Sequence, residues 1–145
     1  MSAETILIAS DHAGYEMKQH LAAHLRAKGF QVEDLGTEGT ESVDYPDFGI
    51  ALAEAVAAGK APRGVLVCGT GIGISIAANR NPAVRAALCS DVTSARLSRQ
   101  HNDANVIALG ARLIGPETAV QCLDAFLETP FEGGRHQRRV DKLGA

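Results

Sequence analysis

The sequence predicts an α/β protein: a three-layer αβα sandwich built on a five-stranded parallel sheet of order 2-1-3-4-5, flanked by about five helices. Short apolar runs rich in β-branched residues alternate along the chain with longer stretches of helical period. The clearest run, Val65-Leu66-Val67, is apolar without interruption, as a strand covered on both faces must be. It breaks into Cys68-Gly69-Thr70-Gly71-Ile72-Gly73 and then opens a helix. The chain has 145 residues, enough for one such domain and too few for two.

Taken in order, Thr5–Ala9 reads as the first strand and Ser10-Asp11-His12-Ala13-Gly14 as its exit loop. Tyr15–Lys28 is helical, with Met17, Leu21 and Leu25 as the buried stripe. Gly29 follows as a left-handed cap. Gln31–Leu35 is the second strand. A polar loop follows, and Pro46 opens a helix that carries Phe48 to Ala58. The third strand, Val65–Val67, leads through its glycine-rich turn into a helix that ends near Asn79 and is stopped by Asn81-Pro82. Val84–Cys89 is the fourth strand, and Asp91 to about Gln100 the fourth helix, capped by Ser90 or Asp91. Asn105–Leu109 is the fifth strand, and Pro116 to about Leu127 the fifth helix. The segment 131–145 is a basic tail holding one or two amphipathic turns, and 1–145 reads as one Rossmann-like domain.

Formal net charge is −3, which argues against nucleic acid as a bulk partner. No apolar stretch reaches the ~20 residues of a membrane span, and the N-terminus has no basic start of the kind a signal peptide carries. Cys68, Cys89 and Cys122 are odd in number and match no CxxC pattern. Free thiols in a reducing cytoplasm account for them.

In a doubly wound sheet, ligands bind where the strand order reverses, here between strands 1 and 3 at their C-terminal ends. Asp11-His12 and Cys68-Gly69-Thr70 leave those strands, so two polar clusters should meet in one crevice. Alternate glycines uncover backbone N–H groups, and the helix behind them adds the positive end of its dipole, a setting that wants an oxyanion. The loop lacks the dinucleotide fingerprint, because position 74 is Ile74, and it is no Walker loop. Cys68 sits just before a helix N-terminus, a position that favours a reactive thiol. Cys89 and Cys122 read as packing residues. Arg135 and Arg139 share a helix face and could fork a phosphate. His20 and His24 have metal-ligand spacing, but Leu21 replaces the glutamate of HExxH and no third ligand is evident.

Five longer segments point to a family. SDHAGY (10–15), DYPD (44–47), CGTGIGISIAANR (68–80), SRQHNDANVIALGAR (98–112) and FEGGRHQRRV (131–140) together closely resemble the B-type ribose-5-phosphate isomerases. Related enzymes of that superfamily act on allose 6-phosphate, galactose 6-phosphate or tetrulose phosphates. The resemblance spans essentially the whole chain. It implies aldose–ketose isomerisation through an enediolate without cofactor or metal, the substrate being a sugar phosphate. Cys68 is then similar to the base, and Thr70 to the hydroxyl that shuttles protons between oxygens. The backbone from Gly69 through Gly71 and Ile72 to Gly73 resembles the anion hole. His101, assisted by Asp11, matches the ring-opening pair, and Asn102 a sugar ligand. His12, Arg112, Arg135 and Arg139 match phosphate-binding positions. One branch of the family carries a glutamate base where Ile74 stands and lacks the cysteine, so this chain resembles the thiol-base branch.

Helices in this fold run antiparallel to their strands. A helix of about ten residues beginning at Asp91 should therefore carry His101 roughly 15 Å from the Cys68 of its own chain. If both act on one sugar, His101 and Asn102 come from a neighbour. The expectation is a homodimer with shared sites, able to pair into a tetramer.

Overall fold

The structure, a computed structural model, describes residues 3–144. Its elements run β1 (Thr5–Ser10), α1 (Tyr15–Ala27), β2 (Gln31–Asp34), α2 (Tyr45–Ala57), β3 (Arg63–Cys68), α3 (Ile72–Asn79), β4 (Ala86–Leu88), α4 (Val92–Gln100), β5 (Val106–Gly110), α5 (Pro116–Glu128) and α6 (Arg135–Asp141). All strand pairings are parallel.

The sheet order is β2-β1-β3-β5-β4, which corrects the expected 2-1-3-4-5. All five residues of β5 are buried, whereas β4 is three residues long and ends on an exposed one. The strand covered on both faces therefore takes the inner place, and the short strand takes the edge. The Asn79 side chain occupies part of that free edge, donating to Ala86 O at 2.9 Å and accepting from Ala86 N at 2.7 Å. A second correction concerns the tail, whose basic turns form a sixth helix, α6.

Strand residues alternate strictly between two cores. Ile6, Ile8, Val65, Val67, Ile107 and Leu109 face α1, α4 and α5, packing on Leu21, Leu25, Leu123 and Phe126. Leu7, Ala9, Leu66, Cys68, Val106 and Ala108 face α2 and α3, packing on Leu52, Ile74 and Ala78. This period of two is the pleat of each strand expressed as layers. It places Cys68 on the side where α3 begins.

The helix ends follow the sequence. Gly29, following the Lys28 cap of α1, has φ 96°. Pro46 occupies the first turn of α2, and Asp91 caps α4 by accepting from Ser94 N at 2.6 Å. No described helix is long and apolar enough to cross a membrane.

Candidate active site

β1 and β3 are neighbours, with Ser10 in register with Val67, so their C-terminal exits open into the same space. Asp11 stays attached to β3 through its N–H, which donates to Val67 O at 3.2 Å. Its buried carboxylate accepts from Gly14 N at 3.1 Å and so caps the turn into α1. His12 follows on that turn. Val43 N–H donates to His12 Nδ1 at 3.1 Å, which places the ring proton on Nε2 in the neutral imidazole and leaves Nε2–H as the free donor.

The β3 exit is a tight loop closed by its own side chains. Gly71 takes the left-handed conformation, φ 78°, which a side chain would strain. Its N–H donates to Cys68 Sγ at 3.2 Å, and Ile72 N–H donates to Thr70 Oγ1 at 3.2 Å. The thiol thus lies 4% exposed at the start of α3, already accepting one backbone hydrogen bond. Gly73 and Ile74, in the first turn of α3, have N–H groups without an acceptor inside the helix. β5 anchors the other wall, where Arg112 N–H donates to Gly69 O at 2.8 Å and Ala111 N–H to Cys68 O at 2.9 Å.

Asp11, His12, Cys68, Gly69, Thr70, Ile72, Gly73 and Arg112 therefore line one cleft of about 450 Å³, together with Ala13, Tyr45 and Ile76. Gly71 is not among the lining residues and packs against Leu88 and Leu109. The cleft has a sulfur, a hydroxyl, unpaired amides and an arginine. These suffice to hold an anionic substrate and to move a proton next to a carbonyl.

His101, Asn102, Arg135 and Arg139 stand elsewhere. His101 caps the far end of α4, just before β5 begins, whereas Cys68 pairs with Gly110 at the other end of β5. Five residues of strand separate those two edges, on the order of 15 Å. Asn102 lines a different pocket, with Asn79, Val84 and Ala87. Arg135 and Arg139 are exposed on α6, whose His136 stacks its ring on His101 at 4.5 Å.

A family model described as Ribose/Galactose Isomerase matches residues 6–143. The chain belongs to this family. A ribose-5-phosphate isomerase B of Escherichia coli is 49% identical over 97% of this chain and 94% of its own length. A Clostridium thermocellum ribose-5-phosphate isomerase B structure superposes with TM-score 0.95 at 53% identity, covering 97% of this chain and 95% of that one. A D-erythrulose-4-phosphate isomerase of Pectobacterium atrosepticum is 45% identical over 97% of this chain and 93% of its own length. As a member of this family, the chain is a sugar-phosphate aldose–ketose isomerase.

Two residues escaped the sequence reading, one lining the cleft and one buried behind the loop that reaches it. Tyr45 opens α2 and packs on Gly73, where any Cβ would overlap its ring. Its signal was the aromatic residue directly before Pro46, the point where a loop turns into a helix. Lys18 is the other, wholly buried beneath the β2–α2 loop. Its ammonium donates to both Asp34 oxygens at 2.7 Å and to Thr37 O at 2.8 Å. The buried positions of α1 gave the sequence signal, since Lys18 adjoins Met17 and lies in line with Leu21 and Leu25.

Proposed function

We propose that the enzyme interconverts ribose 5-phosphate and ribulose 5-phosphate through a 1,2-enediolate, with Cys68 as the base. The observation that carries this reading is the Cys68 sulfur accepting the Gly71 N–H in a cleft shared with His12 and Arg112. In the open-chain aldose, the thiolate removes the proton on carbon 2 and the carbonyl oxygen on carbon 1 becomes an oxyanion. The amides of the 69–73 loop and the first turn of α3 stabilise that charge. The thiol returns its proton to carbon 1, and Thr70 carries a proton between the two oxygens. No atom is gained or lost, and the thiolate is regenerated. His12 and Arg112 hold the phosphate.

His101, with Asp11, opens the furanose, and Asn102, Arg135 and Arg139 complete the binding of sugar and phosphate. Their position at the opposite sheet edge supports a homodimer in which one subunit supplies them to the other's cleft; dimers pairing into tetramers would extend the same scheme. Ile72 and Ile76, one helical turn apart on α3, are 48% and 57% exposed beside the cleft, and Tyr45 is 42% exposed. Such a face suits a second copy of the chain. The whole chain acts as one isomerase domain, and its three free, buried thiols suit a reducing cytoplasm.

A second reading keeps the chemistry and changes the sugar, supported by the similarity to the erythrulose-4-phosphate isomerase. Purified protein assayed in chelator with four-, five- and six-carbon aldose phosphates separates the two, with the largest kcat/KM expected on ribose 5-phosphate. A larger value on a tetrose or hexose phosphate would transfer the assignment. For the shared site, mixing Cys68→Ala and His101→Ala chains should restore activity through one intact site per heterodimer. No restoration after proven subunit exchange would refute it.

A further inference from the structure

We propose that His101, Glu132 and His136 form a binding site for a transition-metal dication of the zinc class, and that filling it withdraws His101 from the reaction. The inhibitory half rests on the reading of His101 as the ring-opening group; the metal-binding half does not.

The three donors come from three segments that the backbone holds together. His101 caps α4, Glu132 lies in the loop before α6, and His136 is in the first turn of α6. Glu132 N–H donates to Gln100 O at 3.1 Å, tying that loop to the end of α4, and His136 N–H donates to Gly133 O at 3.0 Å. The donor atoms of all three side chains lie within 4.8 Å of one another. Around tetrahedral zinc, with bonds of about 2.0–2.2 Å, neighbouring donors stand roughly 3.3 Å apart. His136 Nε2 and Glu132 Oε1 are 3.5 Å apart, close to that spacing already.

The His136 side chain is only 10% exposed, whereas that of Glu132 is 51% exposed and free to swing. The two rings stack at 4.5 Å with planes 14° apart. Stacking brings the imidazoles together but leaves their lone pairs side by side, so the ring of partly exposed His101 must rotate for both to converge on one ion. Metal binding therefore breaks the stack.

Two imidazoles and one carboxylate select zinc, cobalt, nickel or copper over magnesium or calcium, which prefer all-oxygen sites. Arg135, Arg138 and Arg139 flank the site on α6 and oppose a dication. The Glu132 charge must offset them, which makes it indispensable. Three protein ligands leave a fourth position for water.

The test is a Co²⁺ titration of chelator-stripped, full-length protein followed by visible d–d absorption, with Zn²⁺ back-titration. We expect one Co²⁺ per chain, no strong thiolate charge-transfer band, and displacement by Zn²⁺. Glu132→Gln and His136→Gln should each weaken binding by at least the ~10–100-fold that losing even an outer-shell partner costs. Far-UV circular dichroism checks their folding, and Glu132 is exposed enough for its variant to stand alone. No specific absorption, a thiolate band, or unchanged affinity in Glu132→Gln would overturn the site. In the isomerase assay, Zn²⁺ should suppress wild type reversibly and spare Glu132→Gln. Zn²⁺ binding without inhibition would overturn the link to His101. If wild type turns over no sugar phosphate in chelator, the functional reading fails, and the spectrum still decides the metal site.

Discussion

Replacing Lys18 with methionine removes a fully buried cation and three hydrogen bonds at once, two to Asp34 and one to Thr37 O. Stranding a fully buried charge costs ~3–5 kcal/mol. Asp34 is 26% exposed and keeps the Gly36 N–H on Oδ1 at 2.9 Å, so water can take over part of its solvation. Its loss is nearer the ~1–3 kcal/mol of an unmade hydrogen bond to a buried group, and the Thr37 carbonyl adds ~0.5–1.5 kcal/mol. The methionine side chain regains some of this by burial, which leaves a net loss of about 2 kcal/mol. At ~2–4 °C per kcal/mol, Tm should fall by roughly 4–8 °C. The same change loosens the loop whose Val43 N–H orients His12, so KM for the phosphorylated sugar should rise several-fold while kcat falls less. Urea denaturation at unchanged m, together with steady-state kinetics, reads both effects. Wild-type stability would refute the clamp, and lost stability with unchanged KM would refute its connection to His12.

Gly73→Ala puts two effects in opposition. Alanine should stabilise the first turn of α3 by ~1 kcal/mol, but its Cβ overlaps the Tyr45 ring, and such overpacking costs ~1–3 kcal/mol. Net destabilisation with a kcat/KM roughly tenfold lower is expected; a more stable, fully active variant would show that Tyr45 is not seated by this contact. The Asp124 carboxyl is pushed up by burial, but hydrogen bonds from Lys28 and His24 outweigh this and hold it below the usual carboxylate range. Its contribution is present above the unfolded-state pKa near 3.9 and is lost as pH falls through the lower folded value. Thermal melts of Asp124→Asn from neutral pH to about pH 2 should therefore show a shallower acid loss of stability than wild type. Parallel curves would refute the assignment.

The elements that could be read in the sequence are those whose pattern is local. Strand runs, the Met17–Leu21–Leu25 stripe, Gly29, Pro46 and Asp91 each act within a turn or two. The meeting of Asp11-His12 with Cys68–Thr70 was legible because topology alone requires it. The places of β4 and β5 were not, because both runs are apolar and only their burial in the sheet separates them. Val84–Cys89 shortened to Ala86–Leu88 for the same reason, since an edge strand has a single pairing neighbour. α6 has seven residues, too few for a period to declare itself. Lys18 and Tyr45 depend on the path of an aperiodic loop, and a lysine on an amphipathic helix ordinarily signals solvent. The two amides that hold Cys68 and Thr70 could not be assigned from composition, although the glycines announced that amides would be available.

The most direct test of the account is the kcat of Cys68→Ala on ribose 5-phosphate, measured in chelator beside wild type of equal fold and oligomeric state. Loss of a positioned base predicts a fall of ~10²–10⁴-fold, with KM changed far less, because His12 and Arg112, the proposed phosphate ligands, still line the cleft. A variant that keeps kcat within a few-fold of wild type would contradict the account, and the proton would have to be moved by another group in the cleft.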